Sequence, residues 1–271
     1  LNDTFEPGST MKPITVAAAL QLKRVKPTTI IDTSPGRYTV TGATITDTHN
    51  YGVLTVEGVI HNSSNVGATK VAQKLTPQEM WEYFSALGFG QKPQIQFPGA
   101  VSGRLRAWKT WKPIEQATMS YGYGLSASLF QMARSYTVFS NDGNVIPSTI
   151  LKTSEPPVGV RVISKENAAA VLHMLRLAAG PGGTGQRAQA EGYTIGGKSG
   201  TARKQVGRHY AAGKYRAWFT GLAPVDKPRI IVAVMVDEPT AGSYYGGTVA
   251  GPVFADVVQQ TLRFMGVQPD K

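Results

Sequence analysis

The order of the secondary-structure signals constrains the fold of this chain more than any other feature. Helical patterns dominate the first 180 residues, and three consecutive strand-like segments follow at about 193–202, 216–223 and 229–236. Turns join these strands, and a last helical pattern covers about 249–265. Helices first and hairpin-connected strands afterwards favour an α+β layer architecture with an antiparallel sheet, since βαβ units would alternate the two kinds of element.

This division predicts a helical part over about 9–180 and a sheet with its flanking helix over about 190–267. Residues 9–22 have the apolar content and the alanine run of a buried helix, with Ser9 at its N-terminal end. The further helical patterns cover about 55–60, 66–74, 76–87, 127–140 and 165–179. Residues 38–46 alternate like β-structure, and 89–112 is predicted to be a long irregular connection.

Length and composition exclude several classes of protein. With 271 residues and 41% hydrophobic content, the chain can bury a core of ordinary size. Its longest strongly apolar runs, such as 230–236, are shorter than the ~18 residues that a membrane span needs. The first residues also lack the pattern of a signal peptide. The absence of cysteine excludes disulfides, thiolate metal sites and a cysteine nucleophile.

Charge and histidine placement bear on partners and cofactors. The formal charge of +11 suits a polyanionic partner, but the basic residues are scattered and no nucleic-acid module accompanies them, so nucleic acid is not expected. The histidines lack metal-ligand spacing, and we predict no metal and no cofactor. They are interpreted as structural or surface residues: His49, His61, His173 and His209.

Ser9 and Lys12 are the first residues that could perform chemistry. They stand three positions apart, so on a helix they lie on one face within reach of each other. A serine hydroxyl needs a neighbouring base to take its proton as it attacks. A lysine can be that base only where burial or nearby positive charge lowers its pKa. The pattern by itself is common and fits equally a helix start followed by a surface lysine.

Two further motifs change that balance. Ser63-Ser64-Asn65 lies between two helical patterns, and Lys198-Ser199-Gly200-Thr201 lies in a strand-like segment. The ordered set Ser-x-x-Lys, Ser-x-Asn and Lys-Ser/Thr-Gly resembles that of the penicillin-binding proteins and serine β-lactamases. Similarity continues outside the motifs, at 5–9, 63–67, 121–125 and 244–247. Together these segments are most similar to a class B penicillin-binding protein of the septal, cell-division type (penicillin-binding protein 3 type).

The resemblance implies a fold and an activity. The fold would be that of penicillin-binding transpeptidases and serine β-lactamases, with a helical subdomain and an antiparallel sheet flanked by helices. The activity would be that of a serine D,D-transpeptidase, which cross-links peptidoglycan stem peptides through an acyl-enzyme and is inhibited by β-lactams. Ser9 would be the nucleophile and Lys12 the base. Ser63, held near Lys12 and Lys198, would relay the proton to the leaving amine, and Asn65 would bind the substrate amide.

The resemblance also assigns roles to the third motif. The backbone N–H groups of Ser9 and Thr201 would form the oxyanion hole, and Lys198 with the hydroxyls of Ser199 and Thr201 would bind the terminal carboxylate. Gly200 is interpreted as clearance for a peptide at the strand edge, with a strand bulge as the alternative. Further residues are expected to bind substrate or wall the cleft, although ordinary packing explains each tyrosine equally well: Tyr121, Tyr123, Tyr215, Tyr244, Tyr245 and Gly246.

Two glycine-rich segments offer rival readings. Residues 192–199 fit the pattern of a phosphate-binding loop, which needs a buried strand before it and a helix after it. Here the preceding residues are polar and 201–213 is rich in glycine and basic residues, so we interpret the match as accidental. Residues 180–185 are predicted to form a flexible turn, with an anion cradle as the alternative.

Other functions remain alternatives. A serine–histidine–acid hydrolase is disfavoured because no G-x-S-x-G elbow occurs. A class A β-lactamase needs a deacylating glutamate, and no Glu-x-x-Leu-Asn segment follows the second motif, so hydrolysis of β-lactams should be slow. A D,D-carboxypeptidase would use the same residues with water as acceptor, and the motifs leave it open. A non-catalytic β-lactam sensor or scaffold is disfavoured because all three motifs are retained.

Partners and location follow from the resemblance alone. The expected partners are peptidoglycan stem peptides of nascent or lipid-linked strands, β-lactams and membrane proteins of the divisome. The expected location is the periplasmic face of the inner membrane at the division septum. Class B proteins carry a membrane anchor and a pedestal domain upstream, so 1–271 is expected to be a transpeptidase domain truncated at its N-terminus. A strand missing there would expose a sheet edge and lower the stability of 1–271 alone.

Overall fold

The structure is a computed structural model that describes residues 1–207 and 209–271. The helices are α1 (Lys12–Gln21), α2 (Val56–Asn62), α3 (Asn65–Ala72), α4 (Pro77–Ala86), α5 (Pro113–Met119), α6 (Leu129–Ser135), α7 (Thr137–Ser140), α8 (Lys165–Ala179), α9 (Gly246–Val249) and α10 (Gly251–Phe264). The strands are β1 (Thr4–Phe5), β2 (Ile30–Asp32), β3 (Arg37–Val40), β4 (Ala43–Thr46), β5 (Val53–Thr55), β6 (Ala127–Ser128), β7 (Asn144–Val145), β8 (Val160–Arg161), β9 (Gly196–Val206), β10 (His209–Ala223) and β11 (Ile230–Asp237). Short 3₁₀ turns cover Gly8–Met11, Trp108–Thr110 and Gln186–Ala188.

The main sheet is antiparallel, with β10 between β9 and β11. Its register places Lys198 opposite Thr220 and Gly200 opposite Trp218. The edge strand β9 contacts α8 and the 3₁₀ turn Gly8–Met11. This register therefore brings the third motif next to the first.

Two apolar cores lie on opposite faces of this sheet. The larger core joins the helices of the first 180 residues to one face of the sheet through Trp218 and Leu222. The smaller core fills the space between the other face and α10, where Phe219 packs on Phe254 with ring centroids 4.7 Å apart. Each large side chain buried in this way contributes about 1.5–3 kcal/mol. The predicted α+β architecture, with an antiparallel sheet flanked by helices, is confirmed.

Helix α1 runs through the larger core. Every residue from Met11 to Leu20 is buried, which explains why the segment is apolar or small-sided on all its faces. Pro13 stands in the first turn, where the missing N–H costs no hydrogen bond. Helix α1 packs against α3, α4 and α8, so its first residue, Lys12, has a fixed position.

The segment predicted as one helix over 127–140 is interrupted. Ala127 and Ser128 form β6, which pairs with β1, and Ser128 then caps α6 through a reciprocal pair of hydrogen bonds with Gln131. The β1–β6 pairing fixes the chain just before Ser9. The sequence pattern did not indicate it because the pair consists of two residues from each of two distant segments.

The structure also differs from the predictions around the third motif. Strands β9 and β10 continue to Val206 and from His209, through residues that the sequence analysis assigned to a glycine-rich and basic connection. Helix α5 lies just after the predicted irregular segment and was not predicted. The phosphate-loop reading of 192–199 fails because Lys198 lies inside a strand and a second strand follows it. Within the described residues, no helix combines the length and apolar character needed to cross a bilayer.

Candidate active site

Ser9, Lys12 and Ser63 meet at the start of α1. The Lys12 Nζ lies 3.0 Å from the Ser9 Oγ and 3.0 Å from the Ser63 Oγ, and it donates to the Ser63 carbonyl oxygen at 2.5 Å. Lys12 is completely buried, whereas Ser9 and Ser63 are half-buried and reach the surface of a cleft. The buried amine therefore contacts two hydroxyl groups that line the cleft.

Burial gives Lys12 the properties of a base. It lowers the pKa of Lys12 well below its ordinary value, the nearby charge of Lys198 lowers it further, and Asp47 acts in the opposite sense. A neutral amine has two N–H donors and one lone pair. Nζ donates to the Ser9 hydroxyl and to both Ser63 oxygens, as an ammonium with three N–H groups does. When the lowered pKa leaves the amine neutral, two N–H groups can still serve the Ser63 oxygens, and the lone pair is then placed to take the Ser9 hydroxyl proton.

The turn between α2 and α3 holds Ser63 in an uncommon conformation. Ser63 ends α2 with φ 59° and ψ 42°, in the left-handed region that non-glycine residues rarely adopt. The next residue, Ser64, caps the N-terminus of α3, and its hydroxyl accepts a hydrogen bond from the Gly67 N–H. Strained backbone of this kind is concentrated at functional sites. Here it directs both the carbonyl and the hydroxyl of Ser63 toward Lys12.

Asp47 anchors the second motif and was not singled out from the sequence. Its carboxylate accepts hydrogen bonds from the Ser64 hydroxyl at 2.5 Å, from the Asn65 N–H at 2.5 Å and from the Val66 N–H at 3.1 Å. A carboxylate at a helix N-terminus accepts hydrogen bonds from free N–H groups, and its negative charge interacts favourably with the positive end of the helix dipole. The Asn65 side chain lines the cleft and donates to the Thr46 carbonyl at 3.1 Å. Asp47 follows β4 in a polar run, which carries no motif by which it could be recognised.

Lys198 occupies the opposite wall of the cleft. Its side chain is completely buried, and Nζ donates to the Thr184 Oγ1 at 3.2 Å and to the Ser199 carbonyl at 3.3 Å. The Ser199 hydroxyl donates to the same Thr184 Oγ1 at 3.0 Å. Burial lowers the pKa of Lys198 to about 7. Lys198 forms no hydrogen bond with Ser63 within the described residues, so its effect on the first two motifs is electrostatic.

Gly200 has a packing role that the sequence interpretation did not include. A Cβ atom on Gly200 would overlap the indole ring of Trp218, which lies opposite it in β10. The Trp218 Nε1 donates to the Pro7 carbonyl at 3.1 Å and to the Thr10 Oγ1 at 3.2 Å. Glycine is therefore required by the packing of Trp218, and no bulge occurs at this position. Clearance for a substrate peptide stays a prediction.

A second support holds the turn that carries Ser9. The hydroxyl of the completely buried Tyr136 donates to the Thr10 carbonyl at 2.9 Å, and the Gly8 N–H donates to the Gly122 carbonyl at 3.0 Å. Together with the Trp218 contacts, these bonds fix the residues on both sides of Ser9. Such preorganisation of a nucleophile is what acyl transfer requires.

Most of the predicted residues line one cleft of about 580 Å³. The predicted members on its surface are Ser9, Ser63, Asn65, Ser199, Gly200, Thr201, Tyr123, Tyr215, Tyr244, Tyr245 and Gly246. The Thr201 Oγ1 accepts from the Gly246 N–H at 2.8 Å, which joins the third motif to the tyrosine-bearing loop. Tyr215 stacks on Tyr244 with centroids 4.0 Å apart. Tyr121 is not part of the wall: it is buried and packs edge-on against Tyr123.

The cleft also contains residues that sequence reasoning missed. His49, interpreted as structural or surface, is exposed at the cleft wall. The segment 180–185, predicted to be a flexible turn, is held in place: Gly183 and Gly185 are buried, and the Gly185 N–H donates to the Ala178 carbonyl at 3.0 Å. Other unpredicted members include Asp47, Thr184, Arg187 and Arg203.

Comparison with known proteins identifies the family. The model of the penicillin binding protein transpeptidase domain matches residues 1–259. The chain belongs to this transpeptidase family. A probable peptidoglycan D,D-transpeptidase PenA of Neisseria flavescens is 46% identical over all 271 residues, which cover 67% of that protein. Peptidoglycan D,D-transpeptidase FtsI of Escherichia coli is 38% identical over 270 residues, or 46% of its length.

Solved structures agree with this assignment. The transpeptidase domain of Burkholderia pseudomallei penicillin-binding protein 3 has a TM-score of 0.96 and 55% identity, over 100% of this chain and 82% of that one. The resemblance to a class B penicillin-binding protein of the penicillin-binding protein 3 type is therefore confirmed, as is the transpeptidase fold. The chain spans from about half to two thirds of the length of the curated relatives it matches.

Proposed function

We propose that this domain catalyses peptidoglycan D,D-transpeptidation through an acyl-enzyme on Ser9. The observation that carries the proposal is the contact of the completely buried Lys12 amine with both serine hydroxyls at 3.0 Å. The names of the relatives, probable or curated peptidoglycan D,D-transpeptidases, support the same reaction.

In the proposed acylation, Ser9 attacks the carbonyl carbon between the last two D-alanines of a stem peptide. Lys12 takes the Ser9 proton as the Oγ–C bond forms. Lys12 passes this proton through the Ser63 hydroxyl to the leaving nitrogen, the C–N bond breaks, and D-alanine departs. The amine of an acceptor stem peptide then attacks the ester and loses a proton to Lys12, the C–O bond breaks, and the Ser9 oxygen takes that proton from Lys12. The backbone N–H groups of Ser9 and Thr201 are proposed to bind the oxyanion.

A β-lactam should acylate Ser9 and stay bound. Among the described residues that line the cleft, Asp47 supplies the one carboxylate, and its oxygens already accept three hydrogen bonds from Ser64, Asn65 and Val66. Asp47 is therefore committed to the second motif and is a poor candidate for a base that activates water. The absence of a free carboxylate among these described lining residues supports an acyl-enzyme that is hydrolysed slowly, rather than the rapid hydrolysis of a β-lactamase.

Intact-mass analysis with labelled penicillin tests the nucleophile. The wild-type chain should gain one adduct mass that persists, Ser9→Ala should gain none, and the exposed Ser154→Ala should label like wild type. Undiminished labelling of Ser9→Ala overturns the proposal, and rapid loss of the wild-type adduct would indicate a β-lactamase.

A second assay separates transpeptidation from carboxypeptidation. A D-alanyl thioester donor is supplied together with a D-amino acid acceptor, and both products are measured. Aminolysis should outpace hydrolysis, because the acyl-enzyme is proposed to react with an amine. Hydrolysis alone would assign a D,D-carboxypeptidase.

The cellular role is a finer proposal. We infer that the protein acts at the division septum on the periplasmic face of the inner membrane, with divisome membrane proteins as partners and membrane contact through an anchor outside 1–271. The similarity to FtsI and to a penicillin-binding protein 3 supports this inference. Cells whose only copy carries Ser9→Ala should grow as filaments without septa, and rounded cells would contradict the septal role.

A further inference from the structure

Thr184 makes two contacts that the three motifs do not explain. It lies between two glycines in the turn after α8, and its side chain is exposed on the cleft surface. Its Oγ1 accepts hydrogen bonds from the Lys198 Nζ at 3.2 Å and from the Ser199 Oγ at 3.0 Å. Because Lys198 is completely buried, Thr184 is a cleft-facing group through which its ammonium contacts the cleft.

The hydroxyl of Thr184 has one remaining capacity. A threonine hydroxyl has two acceptor lone pairs and one O–H donor. Lys198 and Ser199 occupy both lone pairs, and within the described residues Thr184 donates no hydrogen bond through its side chain. The free O–H therefore belongs to the cleft, beside an ammonium group. This combination suits an anionic acceptor.

The backbone fixes this hydroxyl in place. A Cβ atom on Gly183 would overlap the Ala178 carbonyl, and one on Gly247 would overlap the Thr184 carbonyl. The turn is thus packed between the end of α8 and helix α9, which follows Tyr245. A donor held in this way loses little conformational freedom when a ligand binds.

We propose that Thr184 is a specificity-determining residue, whose hydroxyl donates to the terminal carboxylate of the donor peptide and holds the Lys198 ammonium beside the same carboxylate. The ligand class is an α-carboxylate adjacent to the scissile bond, as in a D-alanyl-D-alanine end or a β-lactam. This inference rests on the proposed function and adds a recognition group that lies outside the three motifs.

The test measures two Thr184 variants and one control variant of the 271-residue chain, each with two donors. Thr184→Val removes the hydroxyl at nearly constant volume, Thr184→Ser retains it, and Thr153→Val, in an exposed loop, is the matched control. One donor is a D-alanyl thioester whose thiol leaving group bears a carboxylate. The other is the same thioester with that carboxylate converted to the primary amide.

The expected result is a loss of discrimination. Thr184→Val should lower kcat/KM for the carboxylate donor by about tenfold or more, the usual effect of losing a hydrogen bond to a charged group, and for the amide donor by less than about threefold. Thr184→Ser and Thr153→Val should stay within about threefold of wild type on both donors. An equal loss on both donors, or no loss on either, overturns the proposal.

A second readout separates recognition from packing. Thr184→Val also removes an acceptor for the Lys198 ammonium, so the pH at which kcat/KM declines on the alkaline side should move lower in this variant and stay in place in Thr184→Ser. Labelling by penicillin keeps the outcomes distinct. If the wild-type chain fails to label at Ser9, the proposed function fails. If wild type labels but the donor ratio of Thr184→Val is unchanged, only the role of Thr184 fails.

Discussion

Lys12 begins a helix and Lys198 lies in a strand, yet both side chains are completely buried beside the same cleft. The Lys12 amine contacts the hydroxyls of Ser9 and Ser63, whereas the Lys198 amine contacts the Thr184 hydroxyl and the carbonyl of its own strand. Burial lowers both pKa values, but only Lys12 is lowered further by a second lysine. The neighbours of each amine, more than its burial, therefore support its proposed role: Lys12 as a base beside the proposed nucleophile, and Lys198 as a titratable cation beside the proposed carboxylate site.

Removing the proposed base, Lys12, is the most direct test of the difference between the two lysines. Lys12→Met keeps an apolar chain of similar length in a buried position but removes the amine, so acylation of Ser9 by penicillin should slow by about 10²- to 10⁴-fold, the usual contribution of a general base. The time course of adduct formation by intact mass measures this. The exposed Lys74→Met is the matched control, and a rate within tenfold of wild type for Lys12→Met would assign the base to another group.

Lys198→Met should have a smaller and more selective effect. It removes a charge-assisted hydrogen bond to the carboxylate, which should lower kcat/KM for carboxylate-bearing donors by about 10- to 100-fold. A donor whose carboxylate is replaced by an amide should be much less affected. Equal losses on both donors would mean that Lys198 acts in the chemical step, as Lys12 does.

The pH profile sharpens the same difference. Because the pKa of Lys198 is about 7, its ammonium form is lost as pH rises through 7, and kcat/KM for carboxylate donors should decline there. Lys12 must be neutral to act, so the rate should fall as the solution becomes acidic enough to protonate it. In Lys198→Met the decline above about pH 7 should disappear, and the acid side should move to higher pH because the charge that helps to lower the pKa of Lys12 is gone. Persistence of the alkaline decline would contradict this assignment.

Gly200→Ala tests the packing by which Trp218 joins the third motif to the turn that carries Ser9. Its methyl group would overlap Trp218, so the free energy of unfolding should fall by about 1–3 kcal/mol. Adding Trp218→Phe removes the atoms that would be overlapped, so the double variant should lose less than the sum of the two single losses. Denaturant unfolding measures this, and strict additivity would show that the two residues do not compete for space.

The smallest effect is expected at the tyrosine wall. Tyr245 is 55% exposed, and Tyr245→Phe should change the free energy of unfolding by less than about 0.5 kcal/mol. Its effect on acylation should stay within about threefold. A larger loss, measured in the same intact-mass assay, would give the exposed hydroxyl a direct part in substrate binding.

Local signals predicted the parts of the fold that depend on local physics. Helix α8 spans the predicted 165–179, because a Ser164 cap, an apolar stripe and a following glycine lie in one continuous segment. The pairing of β1 with β6 was missed because it joins residues distant in the chain, and the interruption between α6 and α7 at Tyr136 was missed as well. Helix α5 was missed because it is short and starts at Pro113, directly after a segment interpreted as irregular.

The same division holds in the candidate site. Ser9, Ser63, Asn65, Lys198 and Thr201 were found because they belong to ordered motifs. Asp47 and Thr184 belong to none, and they became visible only when the fold brought their oxygens to the second and third motifs. The packing of Gly200 against Trp218 was missed, because nothing in the strand sequence indicates that Trp218 lies opposite it, and its role as clearance for a peptide stays a prediction.

The sequence by itself determined the family and the α+β order of elements, and it singled out the candidate residues for attack, deprotonation and anion binding. These follow from residue type and spacing along the chain. Only the tertiary structure decided which lysine touches the nucleophile and how far burial lowers the pKa of each. The physical reason is that contact and desolvation depend on distances across the fold. Lys12 and Ser63, for example, are in contact although they are 51 positions apart in the chain.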